Sequence, residues 1–272
     1  MMNFDPADLQ SKARNIRRNI LTMLNAAGSG HTAGALSITD MLTYLYFVEM
    51  HVNPTDPDMP ERDRFVLSPA HMVPGLYATL SEAGFFPAEE LLTLRKFGSR
   101  LEGHTVRNLD IGVETTGGSL AQGVSIAIGF ALAARVGGRK YRTYCITSDG
   151  ESNEGQTWEA AMFAAKYKLD NLVFILDHNE IQLSGDSPDI MPHENLSERW
   201  RAFNWNVIEI NGHDFLEIAS ALRTAREMKE KPTIIISNTT AGKGVSFMEG
   251  KWQWHGKVPN SEELKLALAE LA

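Results

Sequence analysis

One stretch, residues 141–185, limits the folds open to this chain more than any other. It reads YRTYCITSDGESNEGQTWEAAMFAAKYKLDNLVFILDHNEIQLSG. Residues 141–147 are β-branched and aromatic, the composition of a strand, and Ser148-Asp149-Gly150 breaks it. Residues 155–169 carry Trp158, Ala161, Met162, Ala165 and Leu169 at three- and four-residue steps, the period of a helix. Residues 171–177 are an apolar run of strand length, and Asn179 follows directly. The stretch reads as a βαβ unit, whose two strands are parallel neighbours joined by a right-handed crossover.

Parallel strands end at the same sheet edge, where open α/β sheets bind ligands. Asp149 and Asn179 each lie just past a strand end. Neighbouring strands are only ~5 Å apart, so both side chains can reach one ion. A carboxylate, an amide oxygen and a backbone carbonyl form a hard-oxygen set suited to Mg²⁺ or Ca²⁺. Gly150 lacks a Cβ, so its amide can approach an anion closely, and the helix that follows presents unpaired N–H groups to the same place. Either residue alone is as well read as a turn or a cap. The pair in one βαβ frame reads as a site for a metal-bridged diphosphate.

The rest of the chain extends this alternation. Helices are expected over residues 7–27, 37–50, 74–83, 88–97, 120–136, 215–230 and 261–271, the last capped by Ser261. Strands are expected over 65–67, 206–210 and 233–237, and a polar loop over 183–195. Residues 37–50 are apolar nearly all round, as in a buried helix, while Ala121, Gly123, Ala127 and Gly129 would let their helix pack very close to a sheet or partner helix. The fold class is therefore α/β, one doubly wound, mainly parallel sheet with helices on both faces. The 272 residues show no linker, so one domain over 1–272 is expected. A net charge of −8 argues against a nucleic-acid partner, and no apolar run approaches membrane-spanning length. The N-terminus lacks an apolar signal core and the single cysteine, Cys145, lies in a predicted strand, so the cytoplasm is the expected location.

Four of the eight histidines sit beside glycine or at a strand end: His31, His71, His104 and His255. Ligand contacts concentrate in such loops, although any one of them taken alone is more readily read as a turn or surface residue. Their spacing is not that of a zinc site. His51, His178, His193 and His213 fall in no motif.

Ser148-Asp149-Gly150 with Asn179 thirty positions later resembles the Gly-Asp-Gly…Asn signature of thiamine-diphosphate enzymes, with Ser148 in place of the first Gly. Asn153-Glu154-Gly155, Trp158-Glu159-Ala160-Ala161 and Leu169-Asp170-Asn171-Leu172 narrow this. They resemble transketolases, in particular the N-terminal half of one encoded as two chains. The resemblance implies the thiamine-diphosphate-binding fold, with Asp149, Asn179 and the Ile181 carbonyl on the metal and the Gly150 amide on the diphosphate. Gly30-His31-Thr32-Ala33-Gly34-Ala35-Leu36-Ser37 is similar to a segment carrying a substrate-contacting histidine. Ser68-Pro69-Ala70-His71 takes the place of one carrying a histidine near the cofactor. Gly103-His104 resembles a proton-transfer histidine, and His255 one that touches both cofactor and substrate. Residues 113–120 resemble the cofactor-lining segment, which brings in Gly118, Ser119 and Leu120. Glu154 and Glu159 match interface glutamates, and read equally as acids complementing a helix dipole.

The resemblance implies a two-carbon ketol transfer from a ketose phosphate to an aldose, with His31, His104 and His255 moving protons. Thr32-Ala33, Pro69-Ala70, Thr105 and Ala121 depart from the family pattern. They cluster around the histidines facing substrate, which leaves room for a non-standard sugar. Only seventeen residues follow His255, too few for the family's pyrimidine-binding domain. A separate partner chain supplying that domain is expected, in an assembly of two copies of each. Two alternatives remain: the α subunit of a 2-oxo-acid dehydrogenase, and a non-catalytic subunit that binds cofactor and regulates.

Overall fold

The computed structural model describes residues 4–272. Five parallel strands form the central sheet: β1 (Arg64–Leu67), β2 (Thr143–Ser148), β3 (Leu172–His178), β6 (Asn206–Asn211) and β7 (Thr233–Asn238), in the order β1-β2-β3-β7-β6. A small antiparallel ribbon, β4 (Ile181–Gln182) and β5 (Gly185–Asp186), projects beyond β3. β2 pairs with β3 from Thr143↔Leu172 to Ser148↔Asp177, so Asp149 leaves the sheet beside the start of the Asn179 loop.

Helices cover both faces, and the strand residues alternate between them. Tyr144, Ile146, Val173, Ile175 and Ile235 point into one apolar core, built with α1 (Pro6–Ala27), α3 (Thr39–Tyr44), α4 (Val73–Glu82), α9 (Phe215–Glu227) and α10 (Ser261–Glu270). Cys145, Phe174, Leu176, Ile234 and Ile236 point into the other, with α5 (Gln122–Val136), α6 (Gly155–Lys166) and α8 (Leu196–Ala202). Burial on both faces is why these strands read as continuous apolar runs. On α5, a Cβ at Gly123 would stand 2.6 Å from Ser68 Cα, so the missing side chain lets the helix lie against the end of β1.

Several expected elements end differently. The expected helix over 37–50 is broken into α2 (Ala33–Ser37), α3 and a π-turn at Leu45–Glu49, closed by Met50 N–H on the Leu45 carbonyl at 2.8 Å. Ser37, Thr39 and Thr43 each bond back to a carbonyl one turn earlier, competing with a regular backbone ladder. Residues 88–97 form only a 3₁₀ turn at Ala88–Thr93, since Arg95 takes a left-handed φ of 60°. The polar loop 183–195 holds β5 and α7 (Ser187–Ile190), and α8 after it was not anticipated. Asn260, rather than Ser261, caps α10, in a reciprocal box with Glu263.

Candidate active site

The C-terminal rim of the sheet gathers two groups of polar side chains. The first is made of oxygens. Asp149 is 1 % exposed, its Oδ1 accepting from Gly150 N–H at 2.7 Å and its Oδ2 from Glu180 N–H at 2.8 Å. The second of these bonds lashes the end of β2 to the loop carrying Asn179. That residue is also buried; its Oδ1 accepts from Ile181 N–H at 3.1 Å and its Nδ2 donates to Asp177 Oδ2 at 2.6 Å. Asp149 and Asn179, expected to be neighbours from the βαβ geometry, are therefore brought together, with Ile181, brought in by the resemblance, bonded beside them. Burial and the adjacent Asp177 carboxylate push the Asp149 carboxyl up to about 7. A divalent cation against it would reverse that shift. Among the described residues no cluster of three or more His, Cys, Asp or Glu side chains is arranged to hold a metal, so a cation here depends on the amide and carbonyl oxygens as well.

The second group is made of imidazoles. His31 lies with its ring centroid 4.9 Å from His71, 6.3 Å from His104 and 5.6 Å from His255, and His71 is 5.2 Å from His255. Four loops far apart in sequence thus deliver all four singled-out histidines to one place. Gly34 allows part of this convergence, because a Cβ there would stand 2.7 Å from Met72 Cε, next to His71. Thr32, at a departure from the family pattern, donates to the Lys257 carbonyl at 2.6 Å and pins the His31 loop to the His255 loop. Burial, then His255, Arg95 and His104, lowers His31 to about 4. Burial, then the other three imidazoles, lowers His71 to about 3. His104 is lowered by burial and Arg95, and His255 by burial. The cluster is neutral at neutral pH, each ring with one donor and one acceptor nitrogen. His31 Nδ1 and His71 Nε2 are buried without a hydrogen-bond partner among the described residues.

Buried carboxylates not singled out from sequence hold these groups in place. Glu151 Oε1 accepts from Ser68 Oγ and from Ala121 N–H, both at 2.6 Å, and Oε2 accepts from Thr147 Oγ1 at 2.8 Å. It ties together the approach to His71, the segment after Gly118, Ser119 and Leu120, and the loop of Gly150. Gly118 and Ser119 are exposed and Leu120 half-buried. Asp177 receives Ser37, Asn179 and Thr239. An acidic residue at the end of an otherwise apolar strand was the signal available in the sequence. Among the unassigned histidines, His213 has both nitrogens engaged: Nε2 accepts from Thr240 N–H at 2.8 Å, and Nδ1 faces Asp40 at 2.7 Å. A cavity of about 560 Å³ opens beside the ribbon, lined in part by His178, Glu180, Ser187 and His193, and includes none of the four clustered histidines.

Comparison with known proteins identifies the family. Residues 9–271 match the family model described as transketolase, thiamine diphosphate binding domain. The chain is 44% identical over 270 residues to the 6-deoxy-6-sulfo-D-fructose transketolase subunit SqwG of Clostridium sp. (strain MSTE9), covering 99% of this chain and 98% of that one. It is 42% identical to an apulose-4-phosphate transketolase subunit from Actinobacillus succinogenes, with the same coverage. Human transketolase is 40% identical over 250 residues, which are 92% of this chain and 40% of that protein. The crystal structure of Campylobacter jejuni transketolase superimposes with a TM-score of 0.91 at 34% identity, over 98% of this chain and 43% of that one. The chain belongs to the transketolase family, and what it matches there is the thiamine diphosphate-binding domain.

Proposed function

We propose that this chain is the diphosphate- and metal-holding subunit of a two-chain transketolase. The observation that carries the reading is the convergence of His31, His71, His104 and His255, with two buried nitrogens left open to a ligand. The residues present fit a metal-bridged thiamine diphosphate. A Cβ on Gly150 would meet only Ser148 Oγ, at 3.8 Å, and one on Gly118 would meet nothing within 4 Å. Neither glycine is demanded by the chain's own packing, and both leave space at the rim. Asp149, Asn179 and the Ile181 carbonyl would hold Mg²⁺ or Ca²⁺. The Gly150 amide would meet the diphosphate, and Gly118, Ser119, Leu120, His71 and His255 would line the cofactor.

When bound, thiamine diphosphate supplies the electron sink for breaking and making the carbon–carbon bond. The chain's own part is to orient substrate and move protons. His31, His104 and His255, kept neutral by burial, can each take a proton from one substrate oxygen and give one to another at neutral pH. The reaction is transfer of a two-carbon ketol unit from an anionic ketose to an aldose. Two features support a sugar outside the pentose phosphates. The departures from the family pattern lie around the histidines, and the relatives spanning the whole chain are named for a sulfo-sugar and for apulose-4-phosphate.

The relatives' names as subunits support a separate partner chain, which supplies the pyrimidine-binding domain while this chain remains one domain. Exposed Ile126, Val136, Met162, Phe163 and Tyr167 on and just beyond α5 and α6 support a second copy packing there, in a two-plus-two assembly. Glu154 and Glu159, both exposed, would face the junction in such an assembly. The test is to combine this chain with candidate partner chains, thiamine diphosphate and Mg²⁺, and to follow ketol transfer from phosphorylated and sulfonated ketoses. Oxidative turnover of a 2-oxo acid in place of ketol transfer would refute the reading.

A further inference from the structure

Asn179 can serve a cation only if its oxygen, not its nitrogen, faces the site, and an amide side chain can flip. In this structure its neighbours decide the matter. Ile181 N–H can only donate, and it meets Asn179 Oδ1 at 3.1 Å. Asp177 Oδ2 accepts from Asn179 Nδ2 at 2.6 Å. A flipped amide would set oxygen against carboxylate and NH₂ against N–H, losing both bonds and creating two repulsions.

Asp177 is itself immobilised. It is 1 % exposed; Ser37 Oγ donates to its Oδ2 at 2.7 Å and Thr239 Oγ1 to its Oδ1 at 2.6 Å. Ser37 ends α2, the helix that begins two residues after His31, and Thr239 follows β7. Three separate segments therefore converge on one carboxylate, with the Asn179 amide bonded to it from the loop after β3.

We propose that Asp177 is a positioning residue for the cation site: held by Ser37 and Thr239, it fixes the polarity of the Asn179 amide so that Oδ1 is presented to the metal. The inference rests on the reading of Asp149 and Asn179 as metal ligands. Groups that orient a ligand from outside the coordination sphere typically change metal affinity about 10- to 100-fold when removed. Asp177→Asn keeps an oxygen for Asn179 Nδ2 and turns an NH₂ toward Thr239 Oγ1, which can accept. It preserves the geometry and removes only the charge.

The experiment is calorimetric titration of Mg²⁺ into the full chain at saturating thiamine diphosphate, with thermal melts as the folding control. Wild type binds, Asp177→Ala binds about 10- to 100-fold more weakly, and Asp177→Asn stays within a few-fold of wild type. Equal affinity in wild type and Asp177→Ala overturns the inference. So does an Asp177→Asn variant as weak as Asp177→Ala, since charge rather than position would then be what matters. Should Asp177→Ala not fold, Ser37→Ala and Thr239→Val each remove one of its anchors; a several-fold loss in each supports the inference, and unchanged affinity in both overturns it. A wild-type chain without metal-dependent binding sinks the parent reading and this one together, whereas binding wild type with unaffected variants sinks this one alone.

Discussion

The oxygen group and the imidazole group share one sheet rim and are built on opposite principles. Asp149, Asp177 and Asn179 spend their hydrogen bonds on each other, on Ser37 and Thr239, and on nearby backbone N–H groups. The histidines touch ring to ring and leave His31 Nδ1 and His71 Nε2 without a partner among the described residues. Buried polar groups are nearly always paired, so a fold that leaves two open at one point has a cost there that a ligand can relieve. The chain can hold the first group in shape by itself. The second has donors and acceptors that the described residues do not fill. On the proposed reading, the oxygen group would hold the anion and its cation in a preformed frame, and the imidazoles would face the substrate.

The largest expected effect tests the oxygen group directly. Asp149→Ala should abolish metal-dependent thiamine diphosphate binding, a loss beyond the roughly 100-fold typical of residues that only orient a ligand. Calorimetry on the full chain reads it. An unchanged affinity would remove Asp149 from the metal and dissolve the contrast between the two groups. Next is His104→Ala, which should lower ketol transfer by about 10²- to 10⁴-fold, the usual range for a general acid or base, while cofactor affinity changes far less. Equal losses in both measurements would mean that His104 holds the cofactor rather than moving protons.

The two groups should also respond to pH with opposite signs. His31 and His71 ionise near 4 and 3 in the fold against 6.5 in the open chain. Between those values the unfolded state binds the protons, so this contribution to stability is intact above 6.5 and is lost as pH falls toward 4. Asp149 ionises near 7 in the fold against 3.8 unfolded. Here the folded state holds the proton, and the contribution is lost as pH rises from 3.8 through 7. A cation competes with that proton. In the presence of thiamine diphosphate, Mg²⁺ should therefore raise Tm more at about pH 7.5 than at about pH 5. Replacing His71 with Asn should flatten the acid side of the Tm profile of the chain without cofactor, and an unchanged acid side would remove that imidazole from the pH response. A Mg²⁺ increment independent of pH would separate Asp149 from the cation.

How much of this could be read from residues alone follows the range of the interactions. The βαβ frame was legible because strand, helix and turn signals there are local and agree, and the rim position of Asp149 and Asn179 follows from parallel pairing. The histidines could be picked out one by one, but not their convergence, because His31, His71, His104 and His255 meet through contacts across more than two hundred residues, such as Thr32 on Lys257. Asp177 and Glu151 were missed for a related reason. One closes an apolar strand, the other stands in a polar loop, and their value lies in partners such as Ser37 and Ala121 that no local pattern reveals. The helix expected over 37–50 is present from Thr39 to Glu49 but not as one regular ladder, and the hydroxyls of Ser37, Thr39 and Thr43 that bond back along it are a feature apolar periodicity does not register.

The smallest expected effect probes the joint between frame and lining. Ala121 carries a φ of 61° where the family pattern has Gly, and its N–H is held by Glu151 Oε1 at 2.6 Å. A left-handed conformation costs a residue with a Cβ about 1 to 2 kcal/mol, while Gly in its place loses about 0.5 to 1 kcal/mol more backbone entropy on folding. Ala121→Gly should therefore stabilise the chain by up to about 1.5 kcal/mol, a rise in Tm of at most about 6 °C at this size. Cofactor affinity should hold, because the bond to Glu151 uses the backbone. A fall in Tm would mean that the Ala121 methyl, fully buried in the core shared with α5, contributes more than the strain removes. In that case the departure from Gly at this position is a packing substitution, and the segment of Gly118, Ser119 and Leu120 is anchored by its apolar end as well as by the buried glutamate.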